Sequence, residues 1–589
     1  MVNLTKKPYN LSAEAIKWVQ DTIEAMTDEE KVGQLFFQLT ASTDEGYLKE
    51  LVETYHVGGC RYNPMPGEAV RKMCDTLQAH TKIPLLIACN PEQGGNGACQ
   101  DGTYLGSGIK IGATQNAEYA YLLGKYAGEE ATAIGCNMAF SPVCDVLYEW
   151  QNSEVISRSF GNDPMRVAKM SKAYVDGAHT LSRYACAAKH FPGNGTDFRD
   201  AHISNNVNPM GERAWMQSYG AVYQTLIDGG VEAIMGGHIM MPNYMREVYG
   251  QEYEECLPAT LCKEIMTDLL RERLGFNGMV VSDASHMVAM TNRMTRREML
   301  PKCINAGCDM FLFFNDPKED FQTMLAAYRG GAISKERMQE ALQRILGLKA
   351  KLGLHQKQVG RGGTNVDLSV SLGKKEYQKT AERISEDAIT LVKYKDEGVL
   401  PITPQKYRRI MIVPIGGAKG AMDDLVKMLT GAGERQKTPA EDLRDRLIER
   451  GFDAFLYESP IEQMKRRLAA GEQPNLNLYF AGKNAIADFK AEQDLIITLF
   501  DVNMGRPSFG MSKGGGEIPW YVFELPVVGI SVNTPTMLAD VPQLRTYINA
   551  YDAKPCTMSA LVEKLMSGKE AFVGKDPIDS FCGLFDTRL

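Results

Sequence analysis

The sequence predicts an α/β protein built from an N-terminal (β/α)8 TIM-type barrel and a smaller α/β sandwich domain. Three observations lead there. Eight short apolar runs alternate with helix-length amphipathic segments up to about residue 315. Ionisable residues gather where those runs end. The alternation then resumes beyond a Gly-rich polar stretch near residue 360.

The eight runs are Leu35–Leu39, Val57–Tyr62, Leu85–Asn90, Ala139–Val146, Ala185–Phe191, Glu232–Gly237, Met279–Asp283 and Met310–Asn315. Near-continuous hydrophobicity suits parallel strands buried on both faces. Helices are expected over Ala117–Ile134, Met165–Leu181 and Thr260–Leu274, and Thr27-Asp28-Glu29-Glu30 is a capping-box start ahead of Val32 and Leu35. Periodicity alone does not separate a barrel from a doubly wound sheet. The strand ends favour the barrel, because a barrel works at its βα loops. Glu92 follows the third run, Asp145 ends the fourth, Lys189 and His190 end the fifth, His238 follows the sixth and Asp283 ends the seventh.

The barrel is assigned to residues 1–355, a linker to 356–380 and the sandwich domain to 381–589. Strands of the latter are expected at Ile410–Ile415, Ala454–Tyr457, Leu495–Phe500 and Val527–Val532, with helices at Ala440–Arg450 and Met558–Met566. Lys513-Gly514-Gly515-Gly516-Glu517 reads as a turn or a reach toward a pocket.

Length and composition narrow the function. With 589 residues, 44% hydrophobic and 23% charged, the chain is a multi-domain globular protein. A net charge of −8 without a basic stripe argues against nucleic acid. No apolar run approaches the roughly 18 residues that cross a bilayer, so no membrane association is expected. The polar N-terminus carries no signal-peptide core, which makes the cytoplasm the expected location. The 13 cysteines are scattered, with Cys136, Cys144, Cys186 and Cys308 in apolar segments. They read as reduced core thiols without metal-ligand spacing. Gly94-Gly95-x-Gly97 lacks the spacing of a phosphate-binding loop.

The most informative stretch is Lys189-His190-Phe191-Pro192-Gly193-Asn194-Gly195-Thr196-Asp197-Phe198-Arg199-Asp200-Ala201-His202. A buried strand ends in Lys-His and a broken loop then releases Asp-x-His, a natural arrangement for moving a proton. On spacing alone the Asp-x-His pair reads more readily as a solvated surface pair, and Asp283 as readily as a cap for a helix starting near Ala284. This stretch resembles the signature of glycoside hydrolase family 3, in its bacterial β-N-acetylglucosaminidase branch. Other segments agree in order: Ser141-Pro142-Val143-Cys144-Asp145-Val146, Arg158-Ser159-Phe160-Gly161-x-Asp163-Pro164, Pro258-Ala259-Thr260-Leu261, Leu274-Gly275-Phe276-x-Gly278, Val281-Ser282-Asp283, Ala306-Gly307-Cys308-Asp309-Met310 and Gly574-Lys575-x-Pro577.

The resemblance implies a retaining exo-glycosidase that removes terminal β-linked N-acetylglucosamine or N-acetylhexosamine through a covalent glycosyl-enzyme. It implies Asp283 as nucleophile, His202 as acid/base and Asp200 as the carboxylate that orients His202. Lys189 and His190 would hold sugar hydroxyls, although a lysine there could also form a Schiff base. Arg158 would contact sugar or a carboxylate, with Asp163 or Asp145 as alternative ion-pair partners. Asp145 itself reads as structural, and His238 is divided between pocket lining and core packing. The chain departs from the family's Asp-Gln-Glu-Gly-Gly-Arg, carrying Asn90-Pro91-Glu92-Gln93-Gly94-Gly95-Asn96, so Glu92 or Asn90 replaces the missing hydroxyl-binding aspartate, and Glu92 is the expected one because a carboxylate accepts two hydroxyl hydrogen bonds. No cofactor and no metal are expected. The expected partner is a small-molecule carbohydrate, with a homodimer left open. Competing readings are a phosphorylase of the same family, because an imidazole does not repel phosphate as a glutamate would, a β-glucosidase, and a non-catalytic sugar binder.

Overall fold

The structure, a computed structural model, describes residues 2–356, 366–417, 437–458, 465–466, 468–471, 486–502 and 519–579. The Gly360–Gly363 segment and the Lys513–Glu517 turn lie outside the described residues. The chain forms two units, one of residues Met1–Gly108 and Asn116–Thr380, the other of Ile109–Gln115 and Ala381–Leu589.

In the first unit eight parallel strands close into a barrel in the order β1-β8-β7-β6-β5-β4-β3-β2. They are β1 Phe36–Thr40, β2 Gly59–Tyr62, β3 Leu86–Cys89, β4 Met138–Ala139, β5 Ala185–Phe191, β6 Ala233–Gly236, β7 Met279–Ala284 and β8 Met310–Leu312. The ring closes where Phe36 of β1 faces Phe311 of β8. Strands β3, β5 and β6 are buried along their whole length, as parallel strands with covered faces should be. The capping box at Thr27 forms as expected: Thr27 Oγ1 accepts from the Glu30 N–H (3.2 Å) and Glu30 Oε2 accepts from the Thr27 N–H (2.9 Å), a device worth about 1 kcal/mol.

Two sequence expectations need correction. The fourth run is not one long strand. β4 leaves the ladder after Ala139, Pro142 follows with no N–H to donate, and beyond it only an isolated bridge joins Val143 to Lys189 of β5. Asp145 therefore lies in the loop beyond β4. The Thr260–Leu274 helix is instead a short 3₁₀ turn at Ala259–Leu261 followed by a π-wound stretch at Glu264–Arg273. Within the stretch assigned as linker, residues from Lys375 onward are helical, in Lys375–Ala388.

The second unit holds a six-stranded sheet ordered β9-β14-β13-β12-β10-β11, with only the edge strand β9 antiparallel. These are β9 Thr390–Tyr394, β10 Arg409–Gly416, β11 Asp453–Leu456, β12 Leu495–Asp501, β13 Val527–Ser531 and β14 Thr546–Asn549. Alternation along β10 and β12 sends Ile410, Ile412, Leu495 and Ile497 to one core and Met411, Val413, Ile496 and Phe500 to the other. The first core is closed by helices Pro439–Glu449 and Pro555–Ser567.

Candidate active site

All eight sequence-predicted site residues lie in the first unit, at or beyond strand C-termini. Past β3, Glu92 meets two cations. Its Oε2 accepts from Arg158 Nε (2.7 Å), and its Oε1 accepts from Arg158 Nη2 (2.9 Å) and lies 2.6 Å from Lys189 Nζ. The partner of Arg158 is thus Glu92, not Asp163 or Asp145. Asp163 instead caps the helix Pro164–Ala178. Burial alone would raise the Glu92 pKa, but Arg158 and Lys189 hold it well below the usual carboxylate range. Burial pushes the Lys189 ammonium below its ordinary value, with Glu92 opposing that shift. Gly108 permits the close approach of this loop, because a Cβ there would lie 2.1 Å from the Arg158 carbonyl oxygen.

Asp145 is the fully buried anchor of the β5 end. It accepts from His190 Nδ1 (2.7 Å), from the His190 N–H (3.2 Å) and from the Asn194 N–H (2.7 Å). Nδ1 of His190 faces Asp145, and its Nε2 lies 3.4 Å from Arg158 Nη2. His238 is fully engaged by protein: Nδ1 pairs with Thr260 Oγ1 (2.7 Å) and Nε2 donates to the Ala284 carbonyl (3.1 Å). Burial lowers its pKa, and it braces the end of β7 through the Ala284 carbonyl.

Asp283 sits within β7, and its Oδ1 accepts from the Ala284 N–H (2.7 Å). It caps no helix, since the next one begins at Val288. Burial would raise its pKa, but His190, His238, the Ala284 N–H and Lys189 together hold it low, so it is a carboxylate at neutral pH.

The loop after β5 carries Asp200 and His202. Gly193 and Gly195 have φ of +121° and +107°, and a Cβ on Gly193 would lie 2.1 Å from the Tyr219 ring. Further along, Asp200 Oδ1 accepts from both His202 Nδ1 (2.8 Å) and the His202 N–H (2.8 Å). The Asp200 hydrogen bond, then Glu154, raise the His202 pKa to about 10. Two joints fix the loop. The Val288 N–H donates to the His202 carbonyl (3.2 Å) and the Ala289 N–H to the Ala201 carbonyl (3.1 Å), which ties the loop to the segment following Asp283. Ala201, Met287 and Ala289 share a small buried cluster there. Farther on, Asn206–Val207 pairs in parallel with Ile239–Met240.

Sequence reasoning missed two residues. Glu154, in the loop that delivers Arg158, lies 3.4 Å from His202 Nδ1. His286, three residues past Asp283, has its ring 6.4 Å from that of His202. Glu154, Asp200 and His202 place three potential ligand atoms within 4.8 Å of one another. His202 Nδ1 already donates to Asp200, and a metal would have to displace that proton from a strongly basic imidazole. The arrangement favours a proton over a cation.

The chain has clear relatives among known proteins. Residues 27–348 match the family model "Glycosyl hydrolase family 3 N terminal domain". A β-N-acetylglucosaminidase/β-glucosidase from Cellulomonas fimi is 37% identical over all of both chains. Among solved structures, a β-glucoside phosphorylase, BglX, is 34% identical with a TM-score of 0.86 and 99% of each chain covered. A β-N-acetylglucosaminidase from a Paenibacillus species shares the fold at 24% identity and a TM-score of 0.75, covering 95% of this chain and all of that one. The family-model match over residues 27–348 and the 37% identity to a relative along its full length place the chain in glycoside hydrolase family 3.

Proposed function

We propose that this enzyme cleaves terminal β-linked N-acetylglucosaminides, and β-glucosides as a second substrate, through a covalent glycosyl-enzyme on Asp283. The observation that carries the reading is the pair of backbone hydrogen bonds joining Ala201 and His202 to Val288 and Ala289. They hold the proton donor beside the strand end that bears the nucleophile. In this reading Asp283 attacks the anomeric carbon as the bond to the leaving oxygen breaks. His202 Nε2, turned away from Asp200, gives its proton to that oxygen. The same nitrogen then takes a proton from the acceptor whose oxygen displaces Asp283. Lys189, Arg158 and His190 Nε2 offer hydrogen bonds to sugar hydroxyls, with Glu92 holding the two cations in place.

A second reading has phosphate rather than water as acceptor. It is favoured by the cationic imidazole donor and by the likeness to the β-glucoside phosphorylase. The test is a panel of 4-nitrophenyl β-glycosides with and without phosphate, read for free sugar and sugar 1-phosphate. The N-acetylglucosaminide is expected to turn over fastest. A clear glucoside preference would overturn the sugar assignment. Turnover that needs phosphate and releases sugar 1-phosphate would replace hydrolysis with phosphorolysis. Trapping with a 2-fluoro glycosyl fluoride should label the Asp283 peptide, and an unlabelled peptide under turnover conditions would remove the covalent step.

A further inference from the structure

We infer that Glu154 is a positioning residue for proton transfer, a second carboxylate that clamps the His202 loop and shares Nδ1 of His202 with Asp200. The inference rests on His202 being the acid/base. It adds a third member to a unit that the sequence shows only as Asp-x-His.

Glu154 comes from the β4 loop, 48 residues before His202, and its side chain is only 8% exposed while that of His202 is 52% exposed. Its two oxygens do different work. Oε2 accepts from Asn194 Nδ2 (2.7 Å) and from the Ala201 N–H (3.2 Å), gripping the loop at both ends of the Asn194–Ala201 stretch. Oε1 faces His202 Nδ1 at 3.4 Å, on the nitrogen that Asp200 Oδ1 holds at 2.8 Å. Asn152, two residues earlier, completes the grip. It donates to Asn194 Oδ1 (3.1 Å) and to the Asp197 carbonyl (2.7 Å), while its own Oδ1 accepts from the N–H groups of Glu154 (3.0 Å) and Val155 (2.7 Å). A buried carboxylate with two neutral donors and one imidazole is better balanced when the imidazole carries charge, beside the Arg158 guanidinium that also acts on it.

The charged and titratable groups around His202 are set against that demand. Asp200 and Glu154 favour its cation, His286 and His238 oppose it, and the Arg158 guanidinium acts on both carboxylates. Two anions on one nitrogen leave Nε2 as the exchangeable position, and they keep the proton on the ring until the leaving oxygen develops charge. The consequence is a donor that stays charged across the neutral range.

The test combines a proton count with a rate. Histidine titrations are followed by 15N NMR in the parent and in Glu154→Gln, with His202 assigned through His202→Gln. Alkaline limbs of kcat/KM are measured on the same proteins. In the parent, His202 should titrate well above 6.5. In Glu154→Gln, its titration should fall by at least one pH unit, and the alkaline limb should move with it, while the rate at the acidic plateau stays within tenfold. A parent His202 that titrates at its ordinary value overturns the inference without any variant, as does a titration unmoved by Glu154→Gln. A uniform rate loss at every pH with no shift would reduce Glu154 to a structural clamp and also overturn it. If the titration moves and the rate limb does not, the assignment of His202 as proton donor falls instead, and Glu154's place in the reaction falls with it.

Discussion

Glu92→Gln removes one negative charge from between two cations and leaves both of them behind. Glu92 is 15% exposed, Arg158 25% and Lys189 3%, so water reaches this cluster poorly. Breaking a buried ion pair from one side costs about 3–5 kcal/mol. With an unfolding entropy of about 2.1 cal/mol/K per residue over a unit of roughly 370 residues, that is a fall of about 4–6 °C in Tm. The carboxyl is held below its unfolded value, so its contribution is complete above the unfolded pKa of about 4.3 and is lost as pH falls toward the folded value. Calorimetry should therefore show a constant gap between parent and variant from pH 6 to 8, narrowing below about pH 4. Activity should fall by about 100-fold, because the freed Arg158 and Lys189 no longer hold one geometry. A Tm within 1 °C of the parent at pH 7 would refute the claim that this carboxylate carries the two cations.

Asp283→Ala should cut turnover by about 10⁴-fold or more, and azide should restore part of it by forming the inverted glycosyl azide; retained activity would exclude Asp283 as nucleophile. Asp200→Asn removes the principal cause of the raised His202 pKa, so the alkaline limb of kcat/KM should move from near 10 toward neutrality. Gly193→Ala forces a Cβ into Tyr219 at a positive φ and should lower Tm by several degrees, a loss that an unchanged melting curve would contradict. In the second unit, Lys110→Met leaves Asp552 without its buried cation, 2.8 Å away, and should destabilise that unit by about 3–5 kcal/mol in denaturant titrations.

The barrel is legible in the sequence because its strands are covered on both faces and read as apolar runs; β5 falls at Ala185–Phe191, as the run predicts. The run after Met138 misleads, since Phe140 to Val146 is apolar through packing in a loop rather than in a ladder. Strands β9 and β14 escape because Thr390, Lys393, Thr546 and Asn549 interrupt the hydrophobic pattern. Within the site, Asp283, His202 and Asp200 could be named because each stands in a contiguous motif. The role of Asp145 depends on how many donors converge on it, and that of Glu154 on a fold that brings residues 48 apart together. A carboxylate four residues before Arg158, and a histidine three after Asp283, were the signals within reach.

The segment Ile109–Gln115 lies between β3 and β4 in sequence and belongs to the second unit. Its Lys110 is fully buried, and its ammonium donates to Ser385 Oγ (2.9 Å), Asp552 Oδ2 (2.8 Å) and Thr557 Oγ1 (2.7 Å). The Asp552 partner is 442 residues away. During synthesis this lysine leaves the ribosome long before its counter-charge exists. At roughly 5–20 residues per second the wait is about 20–90 s. The second unit is therefore begun early and finished only late in synthesis, and a gene cut at residue 380 would yield a chain with an unmatched lysine where the second unit should begin. Such a split protein should assemble only when both pieces are present together, with the late fragment supplying the charge that the early one lacks.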